Sequence, residues 1–423
     1  MKNPFSVIRE IRAKLSLWGW RGAVGWILRK FRRDPVEKAL LRNAAHRPGR
    51  TPEPGVTVVG PLSATGSSLQ KVLRDFAAKL GDAGVPCQTF DTATAAAGNS
   101  GFRATPPAEF DIRRFTHAAG MISCPVPDGL VRRRGRMAFW EFNEGFPEAY
   151  TSFGRCKDDI IALSDFNARY FRKEFGDCRV IQIPYPLRID VSGVPDAAEC
   201  RRRFGFAEDA FVVFYNFGWA SGWNRKNPHG AVRAFARAFR SVPEAKLVFK
   251  TFGREGHEAR EAELLAIAEK EGVRDKVVLF NDWMSQSELQ ALANVGDVYL
   301  SLHRAEGFGL GAAEAMCLSK AVVATDYSST TEFCRPETSV PVPFRLVPVK
   351  EEGKEGIWLR GARLWAEPDL DAATDALRRL YHDRDLRLGL GTAARAFVNE
   401  KYSTDNFRKA VEEWLASGSA KEN

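Results

Sequence analysis

The stretch DVYLSLHRAEGFGLGAAEAMCLSKAVVATDYSSTTE, residues 297–332, constrains the fold more than any other part of the chain. It opens with a largely apolar run that ends at a His303-Arg304 pair and a glycine-bearing loop, which is typical of a buried strand in a parallel sheet. The loop GFGLG, residues 307–311, leads into a strong helix-forming run from Ala312. Because the first turn of a helix has free N–H groups, the sequence predicts an anion site at this loop.

Two carboxylates bracket the loop, Glu306 before the glycines and Glu314 inside the predicted helix. Like charges repel, so a carboxylate beside a phosphate site is better suited to accepting hydrogen bonds from sugar hydroxyls than to holding the phosphate. The alternative is an ordinary strand–loop–helix unit whose glutamates are solvated.

The sequence Glu306-Gly-Phe-Gly-Leu-x-x-x-Glu314 resembles the Glu-x7-Glu signature of the group 1, retaining, nucleotide-sugar-dependent glycosyltransferases of the GT-B fold. The flanking sequences SLHR and AVVATDYSSTTEF match the same family. The resemblance implies that Glu306 touches the donor sugar and that Glu314 holds the ribose hydroxyls. It also implies that the diphosphate faces the backbone amides of Gly307, Phe308, Gly309 and Leu310.

The resemblance predicts an α/β protein with two Rossmann-like, doubly wound domains that face a central cleft, and 423 residues suffice for this arrangement. We expect a basic amphipathic extension and linker over residues 1–54 and an N-terminal Rossmann-like acceptor domain over 55–200. A C-terminal nucleotide-sugar-binding domain would follow over 201–402. The last helix, within 403–423, would cross back to the N-terminal domain.

A second motif follows the first strand of the predicted C-terminal domain. Asn227 is a good N-cap and Pro228 a good first helical residue, so Arg225 and Lys226 lie at another helix N-terminus. Two cations there are locally unfavourable unless an anion is bound. The sequence is similar to the family's Arg-Lys-Asn-Pro step, in which a lysine and a nearby arginine neutralise the diphosphate. A solvated loop is the alternative.

Other parts of the donor site follow from the resemblance. Gly66 keeps the first glycine of the family's Gly-x-Gly-Glu loop, which faces the donor phosphates. Trp283 lies in the loop that corresponds to the nucleobase region. The turn 325–332 is placed beside the donor, with Ser329 or Thr330 replacing its usual glycine. Lys250, at a strand end, either helps to bind phosphate or is exposed.

The acceptor side is represented by MAFWEFNEGF, residues 137–146, which resembles an element of one branch of the family. Glu141 in this element could take the proton of an acceptor hydroxyl or orient the acceptor. Alternatively, Glu141 forms an ion pair with a nearby arginine. His117 is either the donor-facing histidine of many relatives or a structural residue.

Composition excludes several other classes of protein. The seven cysteines form no Cys-x-x-Cys pair and accompany no histidine cluster, which argues against a zinc site and a disulfide framework and favours a reducing cytoplasm. No apolar run approaches the roughly 20 residues that a membrane span needs. No Gly-x-Gly-x-x-Gly follows the first predicted strand, which argues against a dinucleotide-dependent oxidoreductase.

The first 33 residues form a distinct basic segment, with nine Lys and Arg residues against one Glu, and with three tryptophans interleaved. Such a segment is typical of helices that lie on an anionic membrane surface. The alternatives are a helix that packs on the enzyme or a partner chain, and a nucleic-acid contact. The sequence contains no motif for RNA or DNA binding, so we expect no nucleic-acid partner.

Taken together, the sequence predicts a cytoplasmic retaining glycosyltransferase, with the basic segment as a candidate for peripheral attachment to the inner face of the membrane. It would move a hexose from a nucleotide-diphosphate sugar to a hydroxyl of a glycan or lipid-linked acceptor in polysaccharide or glycolipid synthesis. We expect no metal and no cofactor beyond this co-substrate. The expected catalytic residues are Glu306, Lys226, Arg225 and Glu141. The alternative is a catalytically silent GT-B domain that serves as a binding scaffold.

Deletion of residues 1–33 tests the role of the basic segment. Each basic residue near an anionic leaflet contributes up to about 1 kcal/mol, so the full chain should co-sediment with anionic vesicles and the truncated chain should not. Vesicles of neutral lipid serve as the control and should retain neither chain. Unchanged partitioning and unchanged activity after the deletion would rule out a membrane role for this segment.

Overall fold

The structure is a computed structural model. It describes residues 35–45, 51–62, 68–92, 110–121, 126, 130–139, 142, 158–253, 255–349 and 364–417. The basic segment, Gly66 and Glu141 lie outside these residues.

The N-terminal domain is built on a six-stranded parallel sheet with the order β2-β1-β3-β4-β5-β6. Parallel strands are buried on both faces, which explains their nearly continuous apolar sequences. The strands are β1 (Glu53–Gly60), β2 (Cys87–Asp91), β3 (Phe115–Met121), β4 (Arg133–Ala138), β5 (Asp159–Ala162) and β6 (Val180–Gln182).

The described helices before the second sheet are α1 (Pro35–Ala45), α2 (Ser68–Asp82), α3 (Asp165–Glu174) and α4 (Ala197–Phe204). Helix α1 packs on the N-terminal domain. Leu40 is fully buried, and the Asn43 amide donates to the Phe110 carbonyl and accepts from the Ile112 N–H. Part of the range expected to be extension and linker is therefore packed in this domain, and β1 also starts inside that range.

The C-terminal domain repeats the architecture with a second six-stranded sheet, ordered β12-β11-β10-β7-β8-β9. Its strands are β7 (Phe211–Gly218), β8 (Ala245–Phe252), β9 (Val277–Phe280), β10 (Val298–Ser301), β11 (Ala321–Thr325) and β12 (Val340–Val342). The helices among them are α5 (Trp223–Lys226), α6 (Pro228–Phe239), α7 (Glu258–Lys270), α8 (Gln286–Val295) and α9 (Leu310–Cys317). Strand and helix alternate as in a doubly wound sheet, which confirms the predicted fold class.

The elements after this sheet begin with an antiparallel hairpin, β13 (Phe344–Pro348) and β14 (Leu364–Pro368). Three helices follow: α10 (Leu370–His382), α11 (Arg384–Lys401) and α12 (Thr404–Ala416).

Helix α12 crosses back and docks on the N-terminal domain. The buried indole of Trp414 donates to an Asp159 carboxylate oxygen at 2.8 Å, and Phe407 packs edge-on against Phe76 of α2. His117, near the start of β3, contacts the Trp414 ring. Burial and neighbouring arginines, Arg133 foremost, lower the pKa of His117 to about 4. His117 is thus placed as a structural residue.

The two domains meet along an interface of aromatic and polar contacts. Tyr185, which follows β6, stacks on Phe308 with 3.8 Å between ring centroids. On the same side, the buried Asn167 amide donates to the Gly307 carbonyl at 3.3 Å and to the Ser329 hydroxyl at 3.2 Å. The N-terminal domain therefore touches the glycine loop directly.

The buried ammonium of Lys79 ties together three parts of the chain. It projects from α2 and donates to the Leu187 carbonyl, between the domains, at 2.9 Å, and to the Tyr402 carbonyl, before α12, at 2.5 Å. Burial lowers the pKa of Lys79 to about 8.

Four of the described cysteines are free thiols: Cys87, Cys200, Cys317 and Cys334. Cys178 is disulfide-bonded, which runs against the expectation of reduced cysteines, because spacing along the chain does not report distance in space. Within the described ranges, no helix is long and apolar enough to cross a bilayer.

Truncation of Trp414 should weaken the docking of α12. Loss of a buried indole leaves a cavity and an Asp159 carboxylate without its donor, so Trp414→Ala should lower the free energy of unfolding by about 3–5 kcal/mol. The measurement is denaturant unfolding of the full chain. The control is Trp283→Ala, which removes a 78% exposed indole and should change stability by less than about 0.5 kcal/mol. Equal effects of the two substitutions would contradict this docking.

Candidate functional site

The glycine loop lies between the carboxyl end of β10 and the N-terminus of α9, as the sequence predicts. Gly309 caps the helix with φ at 92°, in the left-handed region that favours glycine. A Cβ at Gly311 would overlap the Tyr299 hydroxyl and the Asn216 amide oxygen, which are hydrogen-bonded to each other at 2.9 Å. Only glycine fits at these two positions, so the first turn of α9 keeps an open N-terminus.

Glu306 is brought together with both predicted cations. The Lys226 ammonium donates to a Glu306 carboxylate oxygen, and the Arg225 guanidinium lies 3.6 Å from the same oxygen. Burial opposes ionisation of Glu306, but Lys226 and Arg225 outweigh it and lower its pKa to about 2. Glu306 is therefore a carboxylate at any physiological pH.

Arg225 is held by backbone carbonyls. It donates to the Ala305 carbonyl at 2.8 Å and to the Ser221 carbonyl at 2.7 Å. The Tyr215 hydroxyl donates to the Lys226 carbonyl at 2.6 Å, which fixes the end of α5 against β7. Asn227 accepts from the Gly230 N–H and caps α6, with Pro228 as its first residue, as predicted.

Glu314 lies on α9 and faces the N-terminal domain. Its nearest cation is Lys71 of α2, 3.9 Å away, which also pairs with Asp75 at 2.5 Å. Burial raises the pKa of Glu314 to about 7; Lys71 opposes this shift and Asp75 adds to it. The two signature glutamates thus have opposite pKa shifts, because Glu306 faces two cations whereas Glu314 shares one with another carboxylate.

The turn after β11 contacts the start of the glycine loop. Ser328 has φ at 66°, so the left-handed position is Ser328 and not Ser329 or Thr330. Its hydroxyl accepts from the Glu306 N–H at 2.9 Å. The ring of His303 lies 3.2 Å from both the Tyr327 carbonyl and the Thr330 hydroxyl, and burial lowers its pKa to about 4. Sequence reasoning missed Ser328 and His303, although a His-Arg pair directly after a buried strand was a signal.

The remaining predicted residues are more scattered. The Phe308 side chain is buried between the domains, so within the loop only its backbone could contact a ligand. Lys250 is also buried and donates to the Thr251 and Asp282 carbonyls, so the expectation that it is exposed is wrong. Leu310 is half-buried at the start of α9, and Trp283 is exposed in the loop after β9. The part of the chain that the structure describes contains no cluster of His, Cys, Asp and Glu suited to a metal ion.

Residues 211–340 match the family model described as "Glycosyl transferases group 1". This range runs from β7 to β12 and includes Glu306, Glu314 and both cations. The C-terminal domain belongs to the group 1 glycosyltransferases. The match confirms the family that the Glu-x7-Glu spacing indicates. A comparison with curated proteins finds no significant match.

Several solved glycosyltransferases share the fold of this chain. Sucrose-phosphate synthase from Thermosynechococcus elongatus has a TM-score of 0.63 and 14% identity, covering 86% of this chain and 99% of that chain. HepE of Anabaena, solved with UDP and glucose, has a TM-score of 0.58 and 14% identity over 86% and 100% of the two chains. WaaG, a glycosyltransferase involved in lipopolysaccharide biosynthesis, has a TM-score of 0.56 and 16% identity, with the same coverage. The fold is GT-B.

Glu332, in the turn beside the glycine loop, should make the stability of the protein depend on pH. Burial and the nearby Asp165 raise the pKa of Glu332 to about 7, although Lys401 opposes the shift. Between the ordinary glutamate pKa and pH 7, Glu332 is therefore protonated in the folded state and ionised in the unfolded state. The free energy of unfolding falls as pH rises through 7, because the folded state then loses this proton. We expect Glu332→Gln to raise the melting temperature more at pH 8 than at pH 5.

The control for this prediction is Glu269→Gln, at an exposed position on α7, which should give the same small change in melting temperature at both pH values. A Glu332→Gln effect that does not vary with pH would contradict the assigned protonation of Glu332.

Proposed function

We propose that the chain is a retaining glycosyltransferase that moves a hexose from a nucleotide-diphosphate sugar to an acceptor hydroxyl. The observation that carries the proposal is the convergence of Glu306, Lys226 and Arg225 beside the open N-terminus of α9, within a group 1 domain. These groups provide positive charge for a leaving diphosphate and a fixed carboxylate for the sugar.

The electrostatics of the cluster favour departure of a diphosphate. One carboxylate faces two cations, so the three side chains carry one excess positive charge, to which the first turn of α9 adds its N–H groups. Fixed donors of this kind stabilise charge that develops in the transition state without reorganising. We propose that the anomeric C–O bond breaks with this assistance and without a metal ion.

The two carboxylates suit different parts of the donor. Glu306 is ionised and rigidly held, so it can accept hydrogen bonds from hydroxyls of the transferred sugar. Glu314, one helical turn into α9, would accept from the ribose hydroxyls. Because an ionised carboxylate is the stronger acceptor, donor affinity should improve as pH rises through the Glu314 pKa of about 7.

The acceptor hydroxyl would attack from the face that the diphosphate leaves, giving retention of configuration. Its oxygen bonds to the anomeric carbon as the C–O bond to phosphate breaks, and the departing phosphate takes its proton. Glu141 is proposed to orient the acceptor. Structures of the same fold support a glycan or lipid-linked acceptor, since WaaG is described as acting in lipopolysaccharide biosynthesis. We propose a reaction in the cytoplasm with the basic segment at the membrane, although a disulfide such as that of Cys178 is rare in this compartment.

Calorimetric titration with UDP, GDP and ADP tests the donor site. One of these should bind the wild type, and Glu314→Ala should weaken that binding at least tenfold, since each charge-assisted hydrogen bond contributes about 1.5–3 kcal/mol. Lys226→Met should weaken binding of the diphosphate more than that of the matching monophosphate, because we propose that the Lys226 ammonium meets the outer phosphate.

Glu269→Ala is the matched control, an exposed glutamate of the same domain that should leave nucleotide binding unchanged. Absence of binding by folded wild-type protein would overturn the assignment of the donor site. Selective binding without transfer from any sugar nucleotide would favour a silent scaffold instead.

A further inference from the structure

Arg304 is buried two residues before Glu306 and joins three segments around the site. Its side chain is not aimed at Glu306. Every polar contact of its guanidinium leads instead to α5, to the start of α6 or to β14.

The first set of contacts reaches the helix that carries the two cations. The Arg304 guanidinium donates to the Asn224 carbonyl at 2.6 Å, and the Arg304 backbone N–H donates to the Arg225 carbonyl at 2.7 Å. The start of α6 adds the His229 ring, 3.3 Å from the guanidinium. Burial, with Arg304 adding to it, lowers the pKa of His229 to about 3, so the ring is neutral and can accept this bond.

The second set of contacts reaches the hairpin. Glu367 of β14 forms a bidentate pair with Arg304, at 2.6 Å to Nε and 3.0 Å to the second nitrogen. The guanidinium also lies over the Trp365 ring, 5.1 Å from its centroid, and the Ala366 N–H donates to the Arg304 carbonyl at 2.9 Å. Bidentate pairing and stacking both fix the plane of the guanidinium.

Helix α5 depends on anchors of this kind. It has four residues, and its N-cap, Gly222, provides no side-chain cap. One turn of helix is not stable by itself, since its nucleation costs more than its hydrogen bonds return. The position of Arg225 and Lys226 is therefore set from outside, by Tyr215 on one side and Arg304 on the other.

We propose that Arg304, oriented by Glu367, is a positioning residue that places Lys226 and Arg225 for the leaving diphosphate. It acts through α5 and does not touch the donor. The inference rests on the proposed function, because it assumes that the two cations meet the diphosphate. It also assigns a role to the β13–β14 hairpin, which supplies the carboxylate that holds Arg304 in place.

The test compares the affinities of full-length variants for a nucleoside diphosphate and the matching monophosphate, using whichever of UDP, GDP and ADP binds the wild type. In Glu367→Gln and Arg304→Lys we expect diphosphate affinity to fall at least fivefold more than monophosphate affinity. Lysine keeps the charge but lacks the bidentate fork, so it should not rescue binding. Asp371→Asn is the control, since it breaks an exposed pair with Arg237 elsewhere in the domain.

A merely structural role would lower both affinities equally. An unchanged ratio of the two affinities in Glu367→Gln, a mild substitution that retains the side-chain shape, would overturn the inference while leaving the proposed function intact. If the wild type binds none of the three nucleotides, the proposed function fails and the inference fails with it.

Discussion

The site depends on one largely buried carboxylate, Glu306, which faces two cations. Burial alone would favour its protonated form, yet Lys226 and Arg225 reverse the balance and lower its pKa to about 2. The same pairing holds the cations, whose mutual repulsion would otherwise oppose their approach. Removal of Glu306 would leave two neighbouring cations with uncompensated charge. The excess of positive charge in the cluster is also what favours an anionic ligand.

A steric constraint places this cluster beside the end of a helix. The bonded pair of Tyr299 and Asn216 lies directly beneath Gly311, so a side chain there would collide with it, and Gly309 takes a left-handed conformation. Both strands that supply this pair, β7 and β10, are neighbours in the sheet. Their side chains can meet beneath the loop for that reason, and the first turn of α9 is held over the carboxyl edge of the sheet.

Local chemistry was readable from the sequence, whereas contacts between distant residues were not. Asn227 and Pro228 start α6 as predicted, because a helix cap involves residues that are close together in the chain. Arg304 gave no comparable signal, since its partner Glu367 lies 63 residues away. The left-handed turn at Ser328, the neutral His303 and the disulfide at Cys178 likewise depend on tertiary packing. The sequence therefore predicted the elements and the residues Glu306, Lys226 and Arg225 that come together, but not the residues that support them.

The glycine loop and the domain interface are built from the same residues. Phe308 presents its backbone within the loop while its ring stacks on Tyr185, and stacked aromatic pairs contribute about 0.5–1.5 kcal/mol beyond their buried area. Asn167 of the N-terminal domain donates to the Gly307 carbonyl, and Glu332 accepts from the Phe166 N–H. A rotation of one domain against the other must break these contacts or move the loop with them. The geometry of the glycine loop and the relative position of the domains are therefore physically linked.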